Sequence, residues 1–129
     1  PVEHRSIVAA AKWGNPLAHP SVMFRKQVIL NVGGYPDVLN SQDYLLWVNA
    51  IIGGYEFFNI PEQLLLFRSG EMHLNRRNWA YFRNEACVFR RMHVMNFLST
   101  WELVANLILR AVIRVQPMAL KKLIYRTRY

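Results

Sequence analysis

The segment GGYPDVLNSQDYLLWVNAIIGGY, residues 33–55, sets one carboxylate, Asp43, at the head of an apolar, aromatic run bracketed by two Gly-Gly-Tyr turns. From Gln42 onward Tyr44, Leu45, Trp47, Val48, Ile51 and Ile52 follow the helical period until Gly53-Gly54, so the spacing predicts a helix over 42–52. With Asn40 or Ser41 as N-cap, Asp43 falls in the first turn, where helix N-termini favour negative charge by ~0.3–1 kcal/mol. Two readings follow. Asp43 is a helix-start device, or it is a carboxylate held ionised on a rigid element to accept a proton from a substrate hydroxyl. Trp47, one turn on, is either ordinary core or a flat apolar wall for a sugar or base.

On the N-terminal side, residues 1–18 read as irregular, with turn chemistry at Gly14, Asn15, Pro16 and Pro20. SVMF (21–24) suits a short buried strand. RKQVILNV (25–32) carries helical spacing closed by Gly33-Gly34. On the C-terminal side, YEFFNI (55–60) and QLLLFR (63–68), split by Pro61-Glu62, read as two extended segments.

After Arg68 the character changes to SGEMHLNRRN, a polar connector. Trp79, Phe82, Ala86 and Phe89 then predict an amphipathic helix from about residue 76 to 93. STWE (99–102) is a capping box. The helix it opens has a polar row at i+4 steps, Glu102, Asn106, Arg110 and Arg114, with Leu103, Val104, Leu107 and Ile108 facing away. Pro117 stops that helix and can begin the next, MALKKLIYRTRY. The expected architecture is α/β, as an α+β unit over 1–70 with a small mixed sheet, followed by a basic helical extension over 71–129.

The chain has 129 residues and 53% hydrophobic content, enough for a real core. Sixteen Lys and Arg against eight Asp and Glu point to an anionic partner: nucleic acid, phosphate-bearing ligands or an acidic membrane surface. No nucleic-acid motif accompanies the charge, and the basic residues are interleaved with apolar ones, which argues against nucleic acid. One cysteine, Cys87, excludes an internal disulfide; its apolar surroundings predict a packed thiol. The run LVANLILRAVIRV is cut by Arg110 and Arg114 and is too short to cross a bilayer. The C-terminal set Arg110, Arg114, Lys121, Lys122, Arg126 and Arg128 alternates with apolar residues, which suits a helix in a membrane interface.

Several ordered parts carry a family resemblance: His-Pro-Ser before an apolar run, Gly-Gly-Tyr, an acidic position leading to Trp, a second Gly-Tyr, and NIPEQLLLFR. Together they resemble the C-terminal half of the catalytic domain in family 2 (GT-A type) glycosyltransferases. More narrowly, they resemble bacterial exopolysaccharide and capsule enzymes of the amylovoran-biosynthesis type. GEMHLNRRNWAYFRNE and the basic helical tail are similar to that subgroup as well, so the likeness covers roughly residues 15–126.

The resemblance implies an inverting sugar transfer in which Asp43 is the catalytic base. His19, Gln42 and Trp47 are the implied acceptor-binding residues, with Gln42 where the family often has Glu. Arg76 and Arg77 are candidates for the donor diphosphate, since guanidinium groups pair with phosphate oxygens. His73 stands where some relatives hold a metal, but no carboxylate pair supports it here. The family's Asp-x-Asp motif, which binds a divalent cation (Mg or Mn) and the donor, is absent, the only aspartates being Asp37 and Asp43. With an opening at Pro1, this predicts a fragment that lacks the donor-binding half and is inactive alone. The implied partners are a nucleotide sugar, a glycan or lipid-linked acceptor and the inner face of the plasma membrane, on the cytoplasmic side. The rival reading is a non-enzymatic basic module resting on anionic lipid or a protein partner.

Overall fold

Helix α3, Gln42–Ile52, forms where the sequence predicts it and runs through the centre of the fold. The computed structural model describes residues 1–66 and 79–115. In it α3 is preceded by α1 (His4–Ala11), a 3-10 turn (His19–Ser21) and α2 (Lys26–Asn31), and followed by α4 (Trp79–Val94) and α5 (Thr100–Val115). A helix apolar on nearly every side must be buried on nearly every side. Tyr44, Leu45 and Val48 pack with Val88, Phe89 and Met92 of α4 and with Leu98. Leu46 and Trp47 pack with Ile7 of α1, Leu17 and Ile29 of α2. The central helix therefore joins two core clusters, and residues 79–115 share a core with the N-terminal part.

Both Gly-Gly-Tyr turns are helix stops. Gly33 (φ 86°) follows α2 while the Gly34 N–H donates to the Ile29 carbonyl at 2.9 Å. Gly54 (φ 79°) follows α3 while the Tyr55 N–H donates to the Ala50 carbonyl at 3.0 Å. This closure needs a left-handed residue, which glycine supplies without a Cβ clash. Asn96 (φ 59°) plays the same part after α4, with Phe97 donating to the Met92 carbonyl at 2.9 Å.

Several segments differ from the sequence prediction. Residues 4–11, expected to be irregular, form α1, because the alanine run Ala9–Ala11 has high helix propensity and Ile7 and Ala11 find buried sites. SVMF is no buried strand: Val22 has extended backbone (φ −81°, ψ 132°), yet Met23 is 96% exposed. YEFFNI runs beside the chain start, where the Asn59 N–H donates to the Val2 carbonyl at 3.0 Å, without building a ladder. Extended backbone becomes sheet only with a paired neighbour, and the described residues contain no strand. They are helical where a mixed sheet was expected. Cys87 is exposed, since Ala86, Val88 and Phe89 take the inward positions of α4.

Helix α5 inverts the usual amphipathic arrangement. Its capping box forms: the Ser99 N–H donates to Glu102 Oε2 at 2.8 Å, and the Glu102 N–H returns a bond to Ser99 Oγ at 3.3 Å. The polar row then turns inward onto the end of α1. Lys12 Nζ donates to Glu102 Oε1 at 2.8 Å. Asn106 Nδ2 donates to the Lys12 carbonyl at 3.0 Å and Arg110 Nη2 to the Trp13 carbonyl at 2.6 Å. These carbonyls, just past the end of α1, have lost their helical partners, and the row supplies them. On the outer side Trp101, Val104, Ile108 and Val112 stand 49–65% exposed at helical spacing.

Candidate active site

A cleft of about 460 Å³ opens at the head of α3. One side is Asn40, Ser41, Gln42, Asp43 and Tyr44, continued by Gly14 and Asn15; the other is Tyr81, Glu85, Val88 and Phe89 of α4 with Arg110 of α5. Asp43 is half-buried at this cleft and not sealed in the core. Asn15 Nδ2 donates to Asp43 Oδ2 at 2.8 Å, and Asn15 Oδ1 accepts from the Leu17 N–H at 3.2 Å. The loop after α1 thus fixes one carboxylate oxygen. Asp43 also lies in the first turn of α3, as expected from spacing.

The backbone leading into α3 is strained. Asn40 (φ 62°) and Ser41 (φ 61°) are successive non-glycine residues in the left-handed region, each disfavoured by roughly 1–2 kcal/mol, less for Asn. Ser41 is the N-cap, but its side chain makes no capping bond to the helix. The expected cap therefore works through backbone alone: the Ser41 carbonyl accepts from the Leu45 N–H at 3.2 Å.

Beneath the cleft, the Tyr44 hydroxyl donates to the Ala11 carbonyl at 2.5 Å. Burial pushes its phenol well above the usual range, against the lowering influence of Arg110, so it remains a protonated strut. Arg110 is held at several points: Nη2 on the Trp13 carbonyl, the guanidinium over the Phe89 ring at 5.4 Å from its centroid, and Nη1 at 3.7 Å from Glu85 Oε1. Lower down the same helix, the Lys12 ammonium and the Ser99 backbone N–H hold the Glu102 carboxyl down to about 2.

The sequence-predicted residues divide into two places. Asp43 and Gln42 share the cleft. His19 and Trp47 lie together elsewhere, with ring centroids 6.1 Å apart. Trp47 is 1% exposed and packed by Phe24 and Phe57, so in this fold it is a core side chain where a sugar-facing wall was anticipated. It borders a second, larger groove of about 840 Å³ lined by Met23, Phe24, Phe57, Phe58, Ile60, Leu64 and Leu65 among others. Arg76, Arg77, His73, Lys121, Lys122, Arg126, Arg128 and the Arg114 side chain lie outside the described residues, as do Pro117 and the end of QLLLFR. Among the described residues no group of three or more His, Cys, Asp or Glu side chains could hold a metal ion. The implied cation therefore finds no ligand set there.

Sequence reasoning missed Asn15, Tyr81 and Glu85 as cleft residues and read Arg110 as part of a basic tail. Only Arg110 carried a signal, as one step of the i+4 polar row.

The chain is 27% identical to the amylovoran biosynthesis glycosyltransferase AmsE of Erwinia amylovora over 126 residues, 97% of this chain and 47% of that protein. It is 30% identical to the UDP-Gal:α-D-GlcNAc-diphosphoundecaprenol β-1,3-galactosyltransferase of Escherichia coli over 122 residues, 94% of this chain and 44% of that enzyme. It is 31% identical to the O-antigen biosynthesis glycosyltransferase WbnJ of Escherichia coli over 102 residues, 74% of this chain and 40% of that protein. The resemblance to surface-polysaccharide glycosyltransferases thus holds across most of the chain, which spans about half the length of these relatives. No family model and no solved structure matches it.

Proposed function

We propose that this relative of bacterial surface-polysaccharide glycosyltransferases is the acceptor-side part of an inverting enzyme, with Asp43 as its general base. The observation that supports the reading is the Asp43 carboxylate, half-buried at a polar cleft and anchored through Oδ2 by Asn15 at 2.8 Å. With that oxygen held, Oδ1 is left to receive the acceptor's hydroxyl proton. The acceptor oxygen bonds to the anomeric carbon of the donor sugar, the bond from that carbon to the nucleoside diphosphate breaks, and the proton ends on Asp43. Gln42, beside it, is an acceptor-binding residue in this reading, and His19 a more distant one. Arg76 and Arg77 would neutralise the departing diphosphate, and a divalent cation would be held by residues beyond the described set. The E. coli galactosyltransferase's name gives a sugar-diphosphate-lipid acceptor, and we extend that class to this chain. In the complete protein, Asp43→Asn should abolish transfer while donor binding persists; retained turnover would overturn the base assignment.

Two apolar surfaces fit this placement. The groove bordered by Met23, Phe58 and Leu64 suits contact with a donor-binding half, which in this reading belongs to the complete protein. The outward stripe of α5, Trp101 to Val112, suits the interfacial region of an anionic membrane on the cytoplasmic side, beside a sequence rich in Lys and Arg. Among the described residues no helix is long and apolar enough to cross a membrane.

A further inference from the structure

We propose that Trp13 and Trp101 form an interfacial anchor, which seats the outward face of α5 in an anionic lipid surface and so sets the Asp43 cleft at headgroup level. The proposal rests on reading α5 as lipid-facing and Asp43 as the base, and adds the link between the two.

Past Thr100, every exposed side chain described on α5 is apolar: Trp101, Val104, Ile108, Leu109 and Val112. A helix face turned to water ordinarily carries charge, so this one is shaped for an apolar contact. Trp13, just after α1, carries that face onto a second element. Its ring lies 5.7 Å from that of Trp101 at 59°, yet the two side chains remain 40% and 65% exposed. An indole joins an apolar body to one N–H donor, a combination that favours the boundary between acyl chains and headgroups.

Charge selects the occupant. The chain carries a net charge of +8. Arg83, Arg90 and Arg91 are exposed on α4, the helix packed against α5, and none of them forms an ion pair among the described residues. A second copy of the chain would bring the same positive field against itself. Anionic lipid supplies acyl chains for the stripe and phosphates for the arginines.

The anchor is tied directly to the cleft. The Trp13 carbonyl holds Arg110 Nη2 at 2.6 Å. The next two residues, Gly14 and Asn15, line the cleft, and Asn15 binds Asp43 Oδ2. Whatever depth Trp13 takes, the cleft follows. A sugar joined through diphosphate to a membrane lipid presents its hydroxyls at that level.

The test uses the complete protein and vesicles containing phosphatidylglycerol. Lipids brominated just below the headgroup should quench tryptophan fluorescence in the parent, and that quenching should be lost in the double variant Trp13→Phe and Trp101→Phe, which keeps an aromatic ring at each place. Vesicles of phosphatidylcholine alone should quench far less when brominated alike. Trp101→Ser should raise the KM for vesicle-borne GlcNAc-diphosphoundecaprenol about tenfold, while the KM for GlcNAc diphosphate on a short alkyl chain in water stays within twofold. Equal quenching in the parent and the double variant overturns the anchor, as does a dimer in water that vesicles fail to dissociate. An equal rise in both KM values overturns the link to the cleft. If Asp43→Asn still turns over, or neither acceptor is used, the functional reading fails and the quenching still decides the anchor.

Discussion

Lys12 and Glu102, ninety residues apart in sequence, meet as an ion pair of 2.8 Å that ties the end of α1 to the start of α5. The Glu102 carboxyl is held from its usual 4.5 down to about 2, first by Lys12 and then by the Ser99 N–H. Between those values the unfolded chain binds more protons than the folded one, so stability rises with pH. The contribution is fully present above about 4.5 and is lost as pH falls through about 2. Glu102→Gln should lose on the order of 2 kcal/mol at neutral pH after allowance for solvent screening. Urea titrations from pH 7 to 2 should show the variant and the parent converging in acid.

Asn15→Ala removes the donor to Asp43 Oδ2 without touching the carboxylate itself. If Asp43 is the base, this change in the complete protein should slow transfer ~10-fold through loss of aim, a far smaller effect than that of Asp43→Asn. Parallel kcat measurements give the ranking, and a reversed order would remove Asn15 from its positioning role.

Ser41 holds a left-handed backbone at φ 61° with no side-chain cap bond in return. Ser41→Gly should therefore raise stability by ~1 kcal/mol, as relief of the Cβ clash exceeds the added freedom of the unfolded chain. Denaturation midpoints test this. A simultaneous fall in turnover would indicate that the strain holds Asp43 in register.

Asn106 is fully buried, and its Nδ2 donates to both the Lys12 and Glu102 carbonyls. Asn106→Leu keeps the volume but leaves the Lys12 carbonyl without its donor, at a cost of about 1–3 kcal/mol. Thermal unfolding should show a clear drop, with the helical circular dichroism of the folded state retained.

Trp101 and Ile108 project from α5 at 65% and 60% exposure. If this stripe meets lipid, the double substitution Ile108→Ser and Val112→Ser should weaken sedimentation with anionic vesicles several-fold while leaving the melting temperature within a degree or two. Unaltered sedimentation would separate membrane binding from this face.

The central helix, its glycine stops, α2 and the capping box at Ser99 were legible because each is a local signal. Periodicity, a left-handed terminator and an i+3 pair are all written within a few residues. What stayed hidden depends on distant partners. Met23 and Phe24 have the composition of a strand, yet backbone pairing, not composition, makes a sheet. Arg110 in a polar row at i+4 steps reads as a solvated or lipid-facing side until α1 appears beneath it. Glu85 gave no signal of its own, since only the packing of α4 against α3 brings it opposite Asp43.

The reversed polarity of α5 changes how this molecule should be engineered for better solubility. Swapping Val104, Ile108 or Val112 for lysine or glutamate would touch no internal joint and should leave the architecture intact. A conventional redesign that treats Glu102, Asn106 and Arg110 as the expendable hydrophilic side would instead cut three of the contacts that join α5 to the end of α1.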